Sequence, residues 1–339
     1  MTKLGVAVIG AGFISKVHLE AWKRIKEIEV KAIVDLEEER ARNYSQLFKI
    51  PSFYIDYNKV LERSDIDIID VCTPTYTHAQ ISIDAMSHGK NVLLEKPISI
   101  KLKDADEIIK ASEKYNVKFM VAHCLRFWPE YKVAKGIVER GDIGDPRVAR
   151  AYRLSSYPAW SWQSWLKDFS KSGGVFVDMS IHDVDFLRWT IGDVEEVYAR
   201  GGVLKTKDAS SYDYVHALLK FKNGAIAYVE GSWIQPKNFP FTTYLEIVGT
   251  NGILKVDNQT TSSVTVFKEN VAPISLNPVS EDAYFLEIKH FVDSIIKDYK
   301  PMISGIEARK SLEVVLAGVK SILENKPVKL PLTEEVINK

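Results

Sequence analysis

LGVAVIGAGFIS, residues 4–15, decides how the first half of the chain folds. A short apolar, β-branched run ends in Gly10, and Gly10-Ala11-Gly12-Phe13-Ile14-Ser15 leads into a helix-like segment. That order predicts a strand, a tight turn and a helix start. Gly10 permits the turn, Gly12 lets another group approach the backbone closely, and the free N–H groups of a helix N-terminus suit the phosphates of a dinucleotide. Ser15 stands where the GxGxxG pattern has its third glycine, a position that serves helix-to-strand packing and tolerates a small serine. A second strand over 30–35 (VKAIVD) ends in Asp35, roughly 20 to 25 residues downstream, where an acidic side chain would hold a ribose hydroxyl. Asp35 also suits the N-cap of a helix beginning near Glu37. Neither Arg40 nor Arg42 is immediately beside it to receive a 2′-phosphate, which favours NAD over NADP.

The alternation continues with a helix over 38–47, a strand over 66–72, a helix over 79–88 closed by Gly89, a strand over 91–94, a helix over 103–115 and a strand over 118–123. Such a pattern predicts an α/β, doubly wound parallel sheet, a Rossmann dinucleotide-binding domain over 1–124, with ligands at the carboxyl ends of its strands. Two segments lie there: Thr73-Pro74-Thr75-Tyr76-Thr77-His78 and Glu95-Lys96-Pro97. An ammonium placed as Lys96 is either a donor to a ligand or a partner for Glu95. Pro97 fixes the backbone beside it, in a cis or a trans bond. His78 either caps the following helix or reaches a cofactor.

Beyond Cys124 the pattern changes. Arg126-Phe127-Trp128-Pro129 opens a helix to Arg140, and the period then switches to two over 146–154, 193–201, 212–221, 225–233, 243–248 and 253–256, with Asn223-Gly224 and Asn251-Gly252 as hairpin turns. This predicts a second, α+β domain over 125–339 with a mainly antiparallel open sheet, for substrate binding and oligomerisation. One face of the sheet is left for something else to cover, and a homodimer or homotetramer through it is expected. Within this domain lies SGGVFVDMSIHDVDFLRW, residues 172–189. Read as one helix from Val175, it places Asp178, His182, Asp185 and Trp189 on one face, apart from the core-facing Ile181, Val184, Leu187 and Ile191. A carboxylate one turn before an imidazole can hold the ring's tautomer and prepare it to take a proton near neutral pH. A solvated Asp-His face is the plain alternative. The segment Tyr157-Pro158-Ala159-Trp160-Ser161-Trp162-Gln163-Ser164-Trp165 holds three of the seven tryptophans. Aromatic faces beside hydroxyl and amide groups suit a sugar or cyclitol, unless the loop is merely pinned by tryptophan packing. Residues 281–298 and 305–323 read as amphipathic, structural helices.

Composition sets the bounds. With 339 residues, two domains are expected, and 46% hydrophobic with 27% charged residues describes an ordinary globular protein. The 45 basic residues balance 45 acidic ones, which gives no general field for nucleic acid or an anionic membrane and points to a small, weakly charged ligand. Two cysteines, Cys72 and Cys124, argue for a reducing compartment, and no apolar run is long enough to span a bilayer, so a cytoplasmic location is expected. No metal-ligand spacing is present.

GAGFIS, Asp35, TPTYTH, EKP, RFWPEY, SGG with Asp178 and His182, and the final AYFLEIKHFVDSII together resemble the Gfo/Idh/MocA oxidoreductase family, which includes inositol and sugar dehydrogenases. The resemblance spans essentially the whole chain. It implies bound NAD or NADP and a catalytic set of Lys96, Asp178 and His182. Gly10, Gly12, Phe13, Ile14, Asp35, Thr73, Pro74, Thr75, His78, Glu95, Lys96, Arg126 and Trp165 are then candidates for cofactor binding. Lys96, Trp162, Asp178, His182, Trp233 and Tyr284 are candidates for binding a sugar or polyol, and no metal is implied. Trp128 stands where the family often has asparagine. An NAD-dependent glycosidase that works by transient oxidation, or a dinucleotide sensor without chemistry, remain as alternatives.

Overall fold

The computed structural model describes residues 3–337. The chain forms two compact units, Met1–Cys124 with Glu281–Arg309, and Leu125–Ser280 with Lys310–Lys339. Residues 281–309 therefore belong to the first unit, whereas the sequence reading placed all of 125–339 in the second. The physical reason is local: Arg24 pairs with Glu281, and its guanidinium lies 4.1 Å over the Phe285 ring.

The first unit holds β1 (Leu4–Ile9), α1 (Phe13–Trp22), β2 (Ile28–Val34), α2 (Glu38–Phe48), β3 (Ser52–Tyr54), α3 (Asn58–Leu61), β4 (Ile68–Val71), α4 (His78–Ser87), β5 (Asn91–Glu95), α5 (Leu102–Lys114) and β6 (Phe119–Ala122). Its six strands run in the order β3-β2-β1-β4-β5-β6, all parallel. Strands buried on both faces read as continuous apolar runs, as in VLL of β5 and VAVI of β1, every residue of which is buried. The order reverses between β1 and β4, so the carboxyl ends of these two strands flank the point where such folds bind ligands.

The second unit opens with α6 (Pro129–Glu139) and β7 (Pro146–Leu154), followed by α7 (Phe169–Ser172), α8 (Gly174–Asp178) and α9 (Ile181–Ile191). Then come β8 (Val194–Gly202), β9 (Tyr214–Phe221), β10 (Ile226–Ser232), β11 (Thr242–Gly249), β12 (Gly252–Asp257), β13 (Val264–Lys268) and β14 (Val271–Leu276). Ala283–Ile296 (α10) lies in the first unit, Gly305–Glu324 (α11) is divided between the units at Arg309, and β15 (Val328–Lys329) closes the second sheet. That sheet has nine strands in the order β14-β13-β12-β11-β7-β10-β9-β8-β15. Its pairs are antiparallel except β7 with β10. Residues alternate along it: Ala149, Ala151, Ala217, Val229 and Ile247 are buried, while Arg150, Tyr152, Leu218 and Tyr228 are on the other face.

The stretch 172–189 is not one helix. Gly173 and Gly174 both have positive φ (68° and 79°) and turn the chain between α7 and α8. α8 ends at Asp178, Met179 and Ser180 break the ladder, and α9 begins at Ile181. The break coincides with a close approach, since a Cβ on Gly231 of β10 would meet Ser180 Oγ at 2.2 Å. Ile181, Val184, Leu187 and Ile191 do face the core, as expected. Asp185 does not belong to a second, functional stripe. It is fully buried and accepts both Nε and Nη2 of Arg126 at 2.8 Å and the Ser311 hydroxyl at 2.9 Å.

Candidate active site

In the first unit the glycine bend is built as its sequence requires. Gly10 has φ +102°, and a Cβ there would lie 2.6 Å from the Cys72 carbonyl oxygen. Gly12, the N-cap of α1, opens onto empty space where a Cβ would sit, and no side chain caps the helix. No acidic residue lies in the first turn of α1. Phe13 begins the helix largely exposed, whereas Ser15 is fully buried and donates to the Gly12 carbonyl at 2.7 Å. The serine thus packs where a third glycine would and fastens the turn as well.

Asp35 binds that turn. Its Oδ2 accepts the Ala11 N–H at 2.8 Å and its Oδ1 the Glu37 N–H at 2.9 Å. The N-cap of α2 is Glu37, not Asp35. Two bonds leave further lone pairs on the carboxylate for ribose hydroxyls. Arg40 and Arg42 pair with Glu37 and Glu38 on α2. An uncapped helix start, an open cradle at Gly12 and an acceptor at Asp35 fit a dinucleotide with a free 2′-hydroxyl.

The segments after β4 and β5 are tied together by His78. Its Nδ1 lies 2.9 Å from the Pro97 carbonyl and its Nε2 2.9 Å from the Thr73 carbonyl. Burial lowers its pKa, so the neutral ring donates one of these bonds. Both nitrogens face backbone, so His78 clamps the two segments together. Thr75 is buried beside it, and Thr77 donates to Thr73 Oγ1 at 2.7 Å. The Lys96-Pro97 peptide is cis. Lys96 is partly exposed at the end of β5.

Glu95 is likewise engaged. One oxygen is 3.1 Å from His18 Nε2 and the other accepts the Lys96 N–H at 3.1 Å. Its carboxylate therefore positions the Lys96 backbone, where the sequence reading had it among the cofactor contacts. His18 Nδ1 in turn lies 3.0 Å from Asp70, which also accepts the Trp22 indole at 2.7 Å. Burial works against a charged His18 ring, but the Asp70 carboxylate at its Nδ1 outweighs it and raises its pKa well above an ordinary histidine. Burial also pushes the Cys72 thiol up, so His18, Asp70 and Cys72 form a hydrogen-bonded cluster around a protonated thiol. Tyr284, expected among the substrate contacts, stands in the first unit with its ring 6.1 Å from His18.

Sequence reasoning missed this cluster. Its signals were an aspartate inside the apolar run IDIIDV and a glutamate, Glu287, on the apolar face of α10. Glu287 is fully buried, and neither of its carboxyl oxygens has a hydrogen-bond partner.

In the second unit Asp178 ends α8 and His182 is the second residue of α9, both partly exposed. The His182 N–H points to the Met179 carbonyl at 3.4 Å, so the two side chains flank a bend rather than stacking along one helix. Arg126, expected at the cofactor, anchors α9 through Asp185, and its guanidinium lies 5.3 Å over the Trp189 ring. Trp162 and Trp165 sit in a 3-10 segment, Trp162–Lys167, in which Gln163 and Ser164 are both left-handed (φ 48° and 52°). Trp233 is buried edge-on to Tyr157, with ring centres 5.8 Å apart at 83°.

The sheet order, the glycine bend and the acceptor at Asp35 define a dinucleotide-binding fold. Residues 4–123 match the family model described as "Oxidoreductase family, NAD-binding Rossmann fold", and residues 131–255 match the GFO/IDH/MocA C-terminal domain. A myo-inositol 2-dehydrogenase of Thermotoga maritima is 32% identical over 98% of this chain and 99% of its own. The NAD(+)-dependent scyllo-inositol 2-dehydrogenase of Bacillus subtilis is 27% identical over 96% of this chain and 95% of its own. Among solved structures, the myo-inositol 2-dehydrogenase of Lactobacillus plantarum is 26% identical with a TM-score of 0.86, covering 97% of this chain and 100% of its own. The chain belongs to the Gfo/Idh/MocA oxidoreductase family, and its first unit is that family's NAD-binding Rossmann domain.

Proposed function

We propose that this oxidoreductase transfers a hydride between a secondary hydroxyl of a sugar, inositol or related polyol and NAD. The observation that carries the proposal is the full-length similarity to inositol dehydrogenases. When bound, NAD supplies the hydride acceptor. Gly10, Gly12 and Asp35, with Thr73, Pro74 and Thr75 after β4, would hold it. His182 acts as general base and removes the proton from the hydroxyl, a contribution of ~100- to 10,000-fold for a positioned base. Asp178 orients the ring and stabilises its charged form. Lys96 donates to the same oxygen and stabilises the negative charge that develops there, an effect worth ~3 kcal/mol. Trp165 and Trp162 offer aromatic walls to cofactor and polyol.

Assembly as a homodimer or homotetramer through the second sheet is part of the same proposal. Arg150, Tyr152, His216, Leu218 and Tyr228 lie on its uncovered face, and Tyr152 stacks on Tyr244 at 4.8 Å. Among the described residues no helix is long and apolar enough to cross a membrane. Cys72 and Cys124 are buried and form no disulfide, which supports a reducing, cytoplasmic setting.

The test is NADH absorbance with NAD, and separately with NADP, against a panel of inositols, aldoses and sugar derivatives. NADH should accumulate with at least one polyol, and faster than NADPH does. Release of a leaving group without net NADH, or no reduction with any polyol, would contradict the proposal.

A further inference from the structure

A cavity of about 230 Å³ lies in the second unit, with Tyr157 and Trp233 in its lining. Three lysines line it: Lys167, Lys205 and Lys237. For a chain whose basic and acidic residues balance at 45 each, three ammoniums around one small cavity are a local departure.

The carboxylates nearby neutralise one of the three. Asp208 pairs with Lys167. Asp213 is fully buried, and its oxygens accept the backbone N–H groups of Leu204, Lys205 and Thr206 at 2.7, 2.9 and 2.7 Å. That acceptor set fixes the loop carrying Lys205. Lys205 Nζ in turn donates to the Ile234 carbonyl at 2.8 Å and the Gln235 carbonyl at 3.3 Å, which leaves one ammonium hydrogen for a ligand. Among the described residues no carboxylate pairs with Lys237.

The cavity also has a link to the proposed chemistry. Trp233, which lines it, follows Gly231 by two residues in the chain, and Gly231 packs against Ser180, between Asp178 and His182. Aromatic walls at one end and ammoniums at the other suit a ligand with an apolar sugar face and an anionic group.

We infer that this cavity is an anion subsite, and that the physiological polyol carries a carboxylate or phosphate which Lys205 and Lys237 receive while its ring lies against Tyr157. This rests on the polyol dehydrogenase proposal above and narrows its substrate class.

Binding separates the two. Glucuronate, glucose 6-phosphate and glucose are titrated into the NAD-loaded protein while tryptophan fluorescence is followed, and kcat/KM is measured for each beside it. One of the two anions should bind at least about tenfold more tightly than glucose, as hydrogen bonds to charged groups allow, and added salt should weaken that preference because the lysines are exposed. Lys237→Ala and Lys205→Ala should each remove most of the preference and leave glucose binding unchanged. The anion that binds tells a uronate from a phosphoester. Equal binding of glucose and both anions, or variants that retain the anion preference, would overturn the subsite. Anion binding lost in the variants with no turnover of any polyol would uphold it while rejecting the dehydrogenase.

Discussion

Glu287 is the residue whose placement is hardest to explain by stability. It is fully buried, and burial raises its pKa well above an ordinary glutamate, with the charge of Glu95 adding to the effect and His18 opposing it. Asp70 and Asp282 add further negative potential. The folded state therefore keeps a proton that the unfolded chain gives up above about pH 4.3. His18 acts in the same direction: its raised pKa means that its contribution is complete below about pH 6.5 and is lost as pH climbs through the folded value. Stability should accordingly fall as pH rises from 6 to 9. Glu287→Gln, neutral at every pH, should be more stable than the parent at pH 9 by on the order of 1 kcal/mol, with the gap closing toward pH 5. Thermal melts at the three pH values check this, and a gap that widens toward acid would contradict it. At this scale the sequence was most legible where geometry constrains residue type. Gly10 and Asp35 could be read from spacing, whereas His78, Glu95 and Arg126 have polar atoms whose partners, a carbonyl, a histidine and a buried aspartate, lie far along the chain.

At the scale of elements, the break between α8 and α9 matters most. An apolar period of 3.6 runs through 175–191, so pattern alone joined the two helices. Nothing in that pattern reports that Gly231, fifty residues on by rough count, brings β10 against Ser180. The glycine makes the bend possible and so sets where Asp178 and His182 emerge. Gly231→Ala should cost about 1–3 kcal/mol by overpacking and should lower kcat/KM with little change in NAD affinity, measured by denaturant unfolding and by NAD titration. A variant with parental stability and activity would show that the junction tolerates movement. The strands beyond 256 and the short β3 escaped notice because β14 is exposed along its length and β3 is only three residues long, too short to show a period.

For the whole molecule, the pattern of strands and helices sufficed for the parallel sheet and for a mainly antiparallel second sheet. It did not reveal that 281–309 returns to the first unit, because α10 is amphipathic wherever it docks and only its partners on α1 decide the matter. The alternation along β7, β9 and β10 leaves one face of the second sheet partly open, with Leu218 54% exposed upon it. Light scattering should find two or four copies, and Leu218→Glu should shift the population toward the monomer without lowering its melting temperature. A monomeric parent protein would contradict assembly through this face.

The central claim is that His182 removes the proton from a polyol hydroxyl while the first unit holds NAD. Its most direct test is single-turnover NADH formation by His182→Ala, with NAD affinity measured on the same sample. The variant should form NADH at least ~100-fold more slowly while binding NAD as the parent does. NADH formation within a few-fold of the parent would contradict it.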